Sequence, residues 1–303
     1  MFEPRVLPLL PVFIAVANAG SFTAAARELG LGKSVVSQHL RTLEQHCGLR
    51  LLERSTRRLH LTQAGEQVLD AAKEVMASVR SLEQLVEGQH AQPTGTLRVT
   101  LPLDPGLSAV VGPVAARLMT QNPSLKVDLQ FDDAVHDLVG EGLDLALRLG
   151  AMTESNYVVR KLGSEAEIIV ASPSLVESSA VDHPSELKGS DWIVHTALRV
   201  RSAWSFRSAR GEKAQISVNV RATTNTALAV RNLLLAGAGF GVLPAHMVRQ
   251  DVAEGRLVHV SPTWIHRRLT LHALLPTRQI PPRVRAFLSA LTSAIPALGF
   301  DAA

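Results

Sequence analysis

Ser21-Phe22-Thr23-Ala24-Ala25-Ala26-Arg27-Glu28-Leu29-Gly30-Leu31-Gly32-Lys33-Ser34-Val35-Val36-Ser37-Gln38-His39-Leu40-Arg41-Thr42-Leu43 is the stretch that decides how the leading part of the chain folds. Ser21 supplies the side-chain oxygen of an N-cap, and Phe22 to Leu29 reads as the helix it opens. Ala24-Ala25-Ala26 on that helix lets another helix approach closely. Gly30-Leu31-Gly32 makes a short turn. The next helix runs from Lys33 to about His46, with Val36, Leu40 and Leu43 on one face and Lys33, Ser34, Ser37, Gln38 and Arg41 on the other. Two helices joined by a short glycine turn form a helix-turn-helix, whose second helix can lie in a major groove.

The flanks extend the pattern. Leu7 to Ala17 predicts a preceding helix, with Pro8 and Pro11 tolerable only in its first turn, so that its true start falls a few residues later. After Gly48, Leu49 to Arg54 and Leu59 to Thr62 read as two strands, and Arg57 and Arg58 sit at the turn between them. Such a wing places Arg54, Arg57 and Arg58 toward backbone phosphate or the minor groove. Charge follows the same division. Residues 1–62 hold eight basic and four acidic side chains, which accounts for the whole net charge of +4 of the 303-residue chain. A basic module on a neutral body points to a polyanion partner. On the polar helix face, Lys33 can reach phosphate or guanine, Gln38 can pair with adenine, and Ser34 and Ser37 can bond to any base. A solvated helix surface is the alternative for that face taken alone; the adjoining wing favours the groove.

Phe13, Gly20-Ser21-Phe22-Thr23-Ala24-Ala25-Ala26, Leu29, Val36-Ser37, Leu43-Glu44, Gly48, Leu51-Leu52-Glu53-Arg54 and Leu61-Thr62-x-Ala64-Gly65 resemble the winged helix-turn-helix of LysR-type transcriptional regulators. The resemblance implies base-reading positions at Lys33, Ser34, Ser37 and Gln38, with Arg57 in the wing. Gly32, Lys33-Ser34 and Gln38 depart from the residues most usual in that family, so no operator sequence is carried over.

From Thr62 to about Gln89 no proline interrupts the chain. Val68, Ala72, Val75, Val79, Leu82 and Val86 repeat at spacings of 4, 3, 4, 3 and 4, the seam of a coiled coil. A helix of that length spans roughly 40 Å. Self-pairing explains the seam better than packing on the chain's own body, and in the LysR family this element is the dimerisation helix. Gly88 to Gly95 then reads as a hinge.

Beyond Thr94, strands and helices alternate, which predicts an α/β fold with mainly parallel sheet. The expected elements are a strand at Leu97–Leu101, a helix to Thr120, a strand at Leu125–Phe131, a helix around Ala134–Val139 and a strand at Leu143–Leu149. Further strands fall around Ile168, Ile216, Gly241, Leu257 and Leu269, and a closing helix spans Arg283–Ile295. Ligands of such sheets bind beyond the carboxyl ends of strands, here Thr100–Gly106, Arg148–Gly150 and Thr223–Thr226. Thr224 and Asn225 read equally well as plain helix capping. Asp144 to Gly150, Val170-Ala171-Ser172-Pro173, Thr224-Asn225-Thr226, Ala236 to Pro244 and Gly255-Arg256-Leu257-Val258 resemble the two-lobed, periplasmic-binding-protein-like effector domain of the same family. That resemblance implies crossings between lobes near Ile168 and near Ser261–Leu269. It also implies an effector cleft lined by Pro102, Leu103, Arg148, Thr224 and Asn225, with Trp204 and Phe240 nearby.

Other chemistry finds little support. The single cysteine, Cys47, excludes an internal disulfide or a thiolate zinc site. Gly32-Lys33-Ser34 lacks the first glycine of a phosphate loop, and Gly237 to Gly241 has the wrong spacing for a dinucleotide fingerprint. No nucleophile elbow or histidine pair at metal-ligand spacing is present, so neither a catalytic residue nor a metal or cofactor is expected. No signal segment opens the chain and no run is long enough to cross a bilayer, which makes a cytoplasmic location the expectation. The expected architecture is α plus α/β: a winged module at 1–61, a dimerisation helix and hinge at 62–93, and an effector domain of two lobes at 94–303. The expected partners are double-stranded DNA, a second copy of the chain in a dimer or the family's usual tetramer, a small-molecule effector, and RNA polymerase. Two other classes remain open at this stage: a small-molecule binding protein whose leading module serves only assembly, and an enzyme using the cleft.

Overall fold

The computed structural model describes residues 4–54, 59–87, 92–152, 157–176, 181–198 and 203–302. The chain divides into two units, Met1–Val86 with Val139–Gly142, and Glu87–Leu138 with Leu143–Ala303.

The first unit starts with a 3-10 turn over Pro4–Leu9 and continues as α1 (Leu10–Ala19), with Pro11 in the first turn. The prolines account for the late start, because Pro11 lacks an N–H that the first turn would leave unpaired anyway. Ser21 caps α2 (Phe22–Leu29), its hydroxyl accepting from the Ala24 amide at 3.4 Å. After the glycine turn, α3 spans Lys33–Cys47 and buries Val36, Leu40 and Leu43. β1 (Leu52–Arg54) and β2 (Leu59–Leu61) pair antiparallel, Leu52 opposite Leu61. The turn 55–58, with Arg57 and Arg58, lies outside the described residues, as do the side chains of Arg54 and Val86. α4 (Gln63–Glu87) follows. Phe13, Val16, Ala25, Val36, Leu43 and Leu51 are fully buried in one core, which Leu69 and Ala72 of α4 also enter. The expected seam therefore has two parts. Val68 and Ala72 pack on the unit's own core, whereas Val75 and Leu82 are 39% and 63% exposed.

The second unit is built on a sheet. Its strands are β3 (Gly95–Leu101), β4 (Leu125–Phe131), β5 (Leu145–Leu149), β6 (Val158–Ala171), β7 (Asp191–His195), β8 (Ala203–Ser208), β9 (Lys213–Ser217), β10 (Asn219–Thr224), β11 (Phe240–Pro244), β12 (Val258–Val260), β13 (Trp264–Ile265), β14 (Arg267–Leu275) and β15 (Asp301–Ala302). Its helices are α5 (Pro105–Gln121), α6 (Ala227–Leu235), α7 (Ala245–Ala253) and α8 (Pro282–Ala294). The large sheet runs β10-β7-β11-β6-β14-β5-β3-β4, with β12 and β15 also on β6 and with β13-β8-β9 forming a separate sheet. Its outer pairs β3·β4, β3·β5, β10·β7 and β11·β7 are parallel, but every pairing of β6 and β14 is antiparallel. The expected mainly parallel sheet is thus parallel at its two ends only.

Two lobes grow from this arrangement. One surrounds Leu97, Leu101, Leu107, Leu147, Phe287 and Leu291, the other Trp192, Trp204, Phe206 and Val242. β6 serves both, with Leu162 in the first core and Ile169 and Ala171 in the second. The helix expected around Ala134–Val139 is absent, and side chains explain why. The Ala134 amide donates to Asp132 at 2.7 Å, the Ala134 carbonyl accepts from Arg148 at 2.8 Å, and the Leu138 amide donates to the Tyr157 hydroxyl at 3.1 Å. Backbone groups committed to side chains in this way are withdrawn from a helical ladder. Among the described residues no helix is long and apolar enough to cross a membrane.

Candidate functional site

In the first unit the candidate site is the outer face of α3. Its apolar stripe is buried, and Lys33, Ser34, Gln38 and Arg41 are exposed beside the half-buried Ser37. The N-cap is Gly32, whose backbone is extended and which offers no side-chain acceptor. Gly32 therefore supplies no side-chain cap to the opening N–H groups of α3, and the positive end of the helix dipole lies at Lys33, the first residue of the helix. A helix end of this kind suits phosphate, and the following turns carry donors and acceptors for base edges.

In the second unit a cavity of ≈ 200 Å³ opens between the two lobes. Pro102 and Leu103 reach it from the end of β3, and Arg148 and Leu149 from the end of β5. The far side is formed by Val242, Leu243 and Pro244 of β11, Met247 of α7 and Leu269 of β14. Three of the expected cleft residues, Pro102, Leu103 and Arg148, are thus brought together. Thr224 and Asn225 are not among the lining residues. The Thr224 hydroxyl accepts from the Thr226 amide at 3.4 Å, and Thr226 caps α6 through the Leu228 amide at 3.1 Å. Trp204 and Phe240 do not line it either. Both are buried in the second lobe's core against Trp192, with ring centroids at 4.9 and 5.9 Å.

Asp104 also lines it, within the expected segment Thr100–Gly106, whereas sequence reasoning missed the other ionisable groups of the lining: Asp133, Glu167, His195 and Arg267. Several of these groups are already engaged. Glu167 accepts from Arg267 Nε at 2.8 Å, Asp133 accepts the Leu103 amide at 3.1 Å, and Arg148 donates to the Leu147 and Ala134 carbonyls at 3.1 and 2.8 Å. An apolar wall with charged groups already held in place suits a compact ligand that has an apolar body and a few polar atoms.

Asp104 belongs to a second arrangement behind this wall. Its Oδ1 caps α5 by accepting the Leu107 amide at 3.0 Å, and its Oδ2 lies 2.8 Å from His246 Nε2. The other ring nitrogen bonds Glu165 of β6, and the His246 amide donates to the same carboxylate at 3.0 Å. All three side chains are buried. Burial works against a charged ring, but the Asp104 and Glu165 carboxylates outweigh it and raise the His246 pKa to about 9. A Cβ on Gly106 would lie 2.5 Å from the His246 ring, so the absence of a side chain there makes room for it. Among the described residues no group of histidine, cysteine and carboxylate side chains could hold a metal ion. Burial and nearby Glu44 push the Cys47 thiol up, away from reactivity.

Residues 7–66 match the family model for the bacterial regulatory helix-turn-helix protein of the lysR family, and residues 90–296 match that for the LysR substrate binding domain. The HTH-type transcriptional regulator PtxR of Pseudomonas aeruginosa is 38% identical over 284 residues, covering 93% of this chain and 90% of the relative. A regulator of the same type from Xanthomonas campestris is 32% identical over 302 residues, covering 96% and 85%. Among solved structures, full-length AphB of Vibrio cholerae superposes with a TM-score of 0.65 at 24% identity, over 96% of this chain and 99% of that one. CrgA of Neisseria meningitidis, described as a LysR-type transcriptional regulator, superposes with a TM-score of 0.57 at 26% identity, over 99% and 100%.

Proposed function

The chain belongs to the LysR family of bacterial transcriptional regulators, and from that premise we propose a division of labour among its residues. It is a DNA-binding regulator under the control of a small-molecule effector. The exposed stripe of α3 carries the reading of sequence: Ser34, Ser37 and Gln38 address base edges, and Lys33 and Arg41 address phosphate or guanine. The supporting observation is that this face is polar and exposed while the opposite face of the same helix fills the core. Arg54, Arg57 and Arg58 of the wing hold adjacent backbone phosphate.

Two chains pair along α4 through Val75, Val79, Leu82 and Val86. The pairing sets two winged modules on half-sites about one helical turn apart. Pairs of dimers assemble into a tetramer on DNA and there contact RNA polymerase. The effector binds in the cavity between the lobes, against Pro102, Leu103 and Arg148. It acts by binding two arrangements of the lobes with different affinities, since a ligand indifferent to them would shift nothing.

The test is DNA binding by the full chain, with duplexes selected from a random-sequence pool. Affinity should fall steeply as salt rises. Gln38→Ala or Ser37→Ala should change the preferred bases, at about 1–3 kcal/mol for each lost base contact. An unchanged preference in both variants would remove α3 from the reading role.

A further inference from the structure

The carboxylate of Glu44 is one of four acidic groups in the basic module. It lies two turns beyond Ser37 on α3, at the edge of the polar face, where a negative charge opposes an approaching phosphate. Its surroundings give it another task. Its Oε1 accepts the amide of Leu51 at 2.9 Å and that of Leu52 at 3.3 Å, and Leu52 is the first residue of β1. The same short segment is held from its other side by Thr62. The Thr62 amide donates to the Leu51 carbonyl at 3.0 Å, and the Thr62 hydroxyl donates to the Arg50 carbonyl at 2.7 Å. That hydroxyl in turn accepts the Gly65 amide of α4 at 2.9 Å. The root of the wing is thus clamped between α3, which takes its N–H groups, and the start of α4, which takes its carbonyls.

We propose that Glu44 is a positioning residue for DNA recognition: by tying the first strand of the wing to α3, it fixes the angle at which wing and reading helix meet the duplex. The inference rests on the reading role given to α3 above. An acceptor oxygen shared by two amides is directional, so it orients the segment more firmly than apolar packing would. Its contribution to alignment opposes, and outweighs, the repulsion its charge exerts on phosphate.

Three variants of the full chain separate alignment from charge. Glu44→Gln keeps an acceptor oxygen at the same reach and removes the charge. Glu44→Asp keeps the charge and withdraws the acceptor by one methylene. Glu44→Ala removes both. Affinity is measured for a duplex selected by the wild type from a random-sequence pool and for a scrambled duplex of equal length. Glu44→Gln should hold the selected duplex at least as tightly as the wild type. Glu44→Asp and Glu44→Ala should lose roughly tenfold on the selected duplex, the order expected when two amides lose their shared acceptor, with little loss on the scrambled one. A role confined to stability would lower both duplexes together. The proposal is overturned if Glu44→Asp keeps the wild-type preference, or if Glu44→Gln loses it. Should Glu44→Asp fail to fold, Glu44→Ala decides in the same terms, since it too removes the acceptor. A wild type with no preference for any duplex would instead overturn the reading role of α3, and this inference with it.

Discussion

Raising the pH should loosen the second unit through one side chain, His246. The ring's ordinary value is 6.5, and its setting between Asp104 and Glu165 raises it to about 9. A group that holds its proton more tightly when folded stabilises the fold fully below about 6.5 and loses that contribution as pH rises through about 9. The displacement corresponds to roughly 3 kcal/mol, most of it still present at pH 7 and nearly all of it gone by pH 10. The protein supplies its own probe. Its three tryptophans, Trp192, Trp204 and Trp264, all lie in the core of the second lobe, so their fluorescence during urea unfolding follows that unit alone. The wild type should lose about 2–3 kcal/mol between pH 7 and pH 10 beyond whatever His246→Gln loses over the same range. At pH 7, His246→Gln should itself be less stable by about 3 kcal/mol or more, because two buried carboxylates would face each other without a cation. Parallel pH curves for the two proteins would refute the reasoning, since they would mean that the ring carries no charge that matters to the fold.

Arg57→Ala should weaken binding to every duplex alike and flatten the dependence of log affinity on log salt by about one unit, read from titrations at several salt concentrations. Gly65→Ala should destabilise the first unit by about 2 kcal/mol or more in thermal melts, since the added Cβ would fall 2.0 Å from the Leu51 carbonyl oxygen. Leu82→Asp should leave the chain's own fold intact by circular dichroism, since Leu82 is 63% exposed on its own chain, while sedimentation shifts toward smaller species and the melting temperature falls with the lost pairing; an unchanged oligomer would remove Leu82 from the pairing surface.

The winged module was legible because its signals are local. The apolar spacing of Val36, Leu40 and Leu43 and the Ser21 cap are set by neighbours three or four residues away, and α2 and α3 lie where these place them. The second unit yielded less. The segment at Ala134–Val139 has helical composition, but partners as distant as Tyr157 hold its backbone. Strand ends on an open sheet mark the segments Thr100–Gly106 and Arg148–Gly150, and the family resemblance singles out Pro102, Leu103 and Arg148 within them. Trp204 and Phe240 were placed near the cleft by resemblance, whereas their rings are spent on packing Trp192. The Asp104–His246–Glu165 group could not be read at all. Its members are 142 and 81 residues apart, and each is unremarkable among its own neighbours.

The crossing of β6 from one lobe to the other has a consequence for anyone wishing to redirect this sensor. A lobe transplanted from a relative would bring half a strand whose remaining residues belong to a foreign interior, with Leu162 matched to one parent and Ile169 to the other. The halves are not interchangeable parts. New ligand preference is better sought by altering the few side chains that face the hollow, such as Leu103, Leu149 and Met247, on an otherwise intact frame.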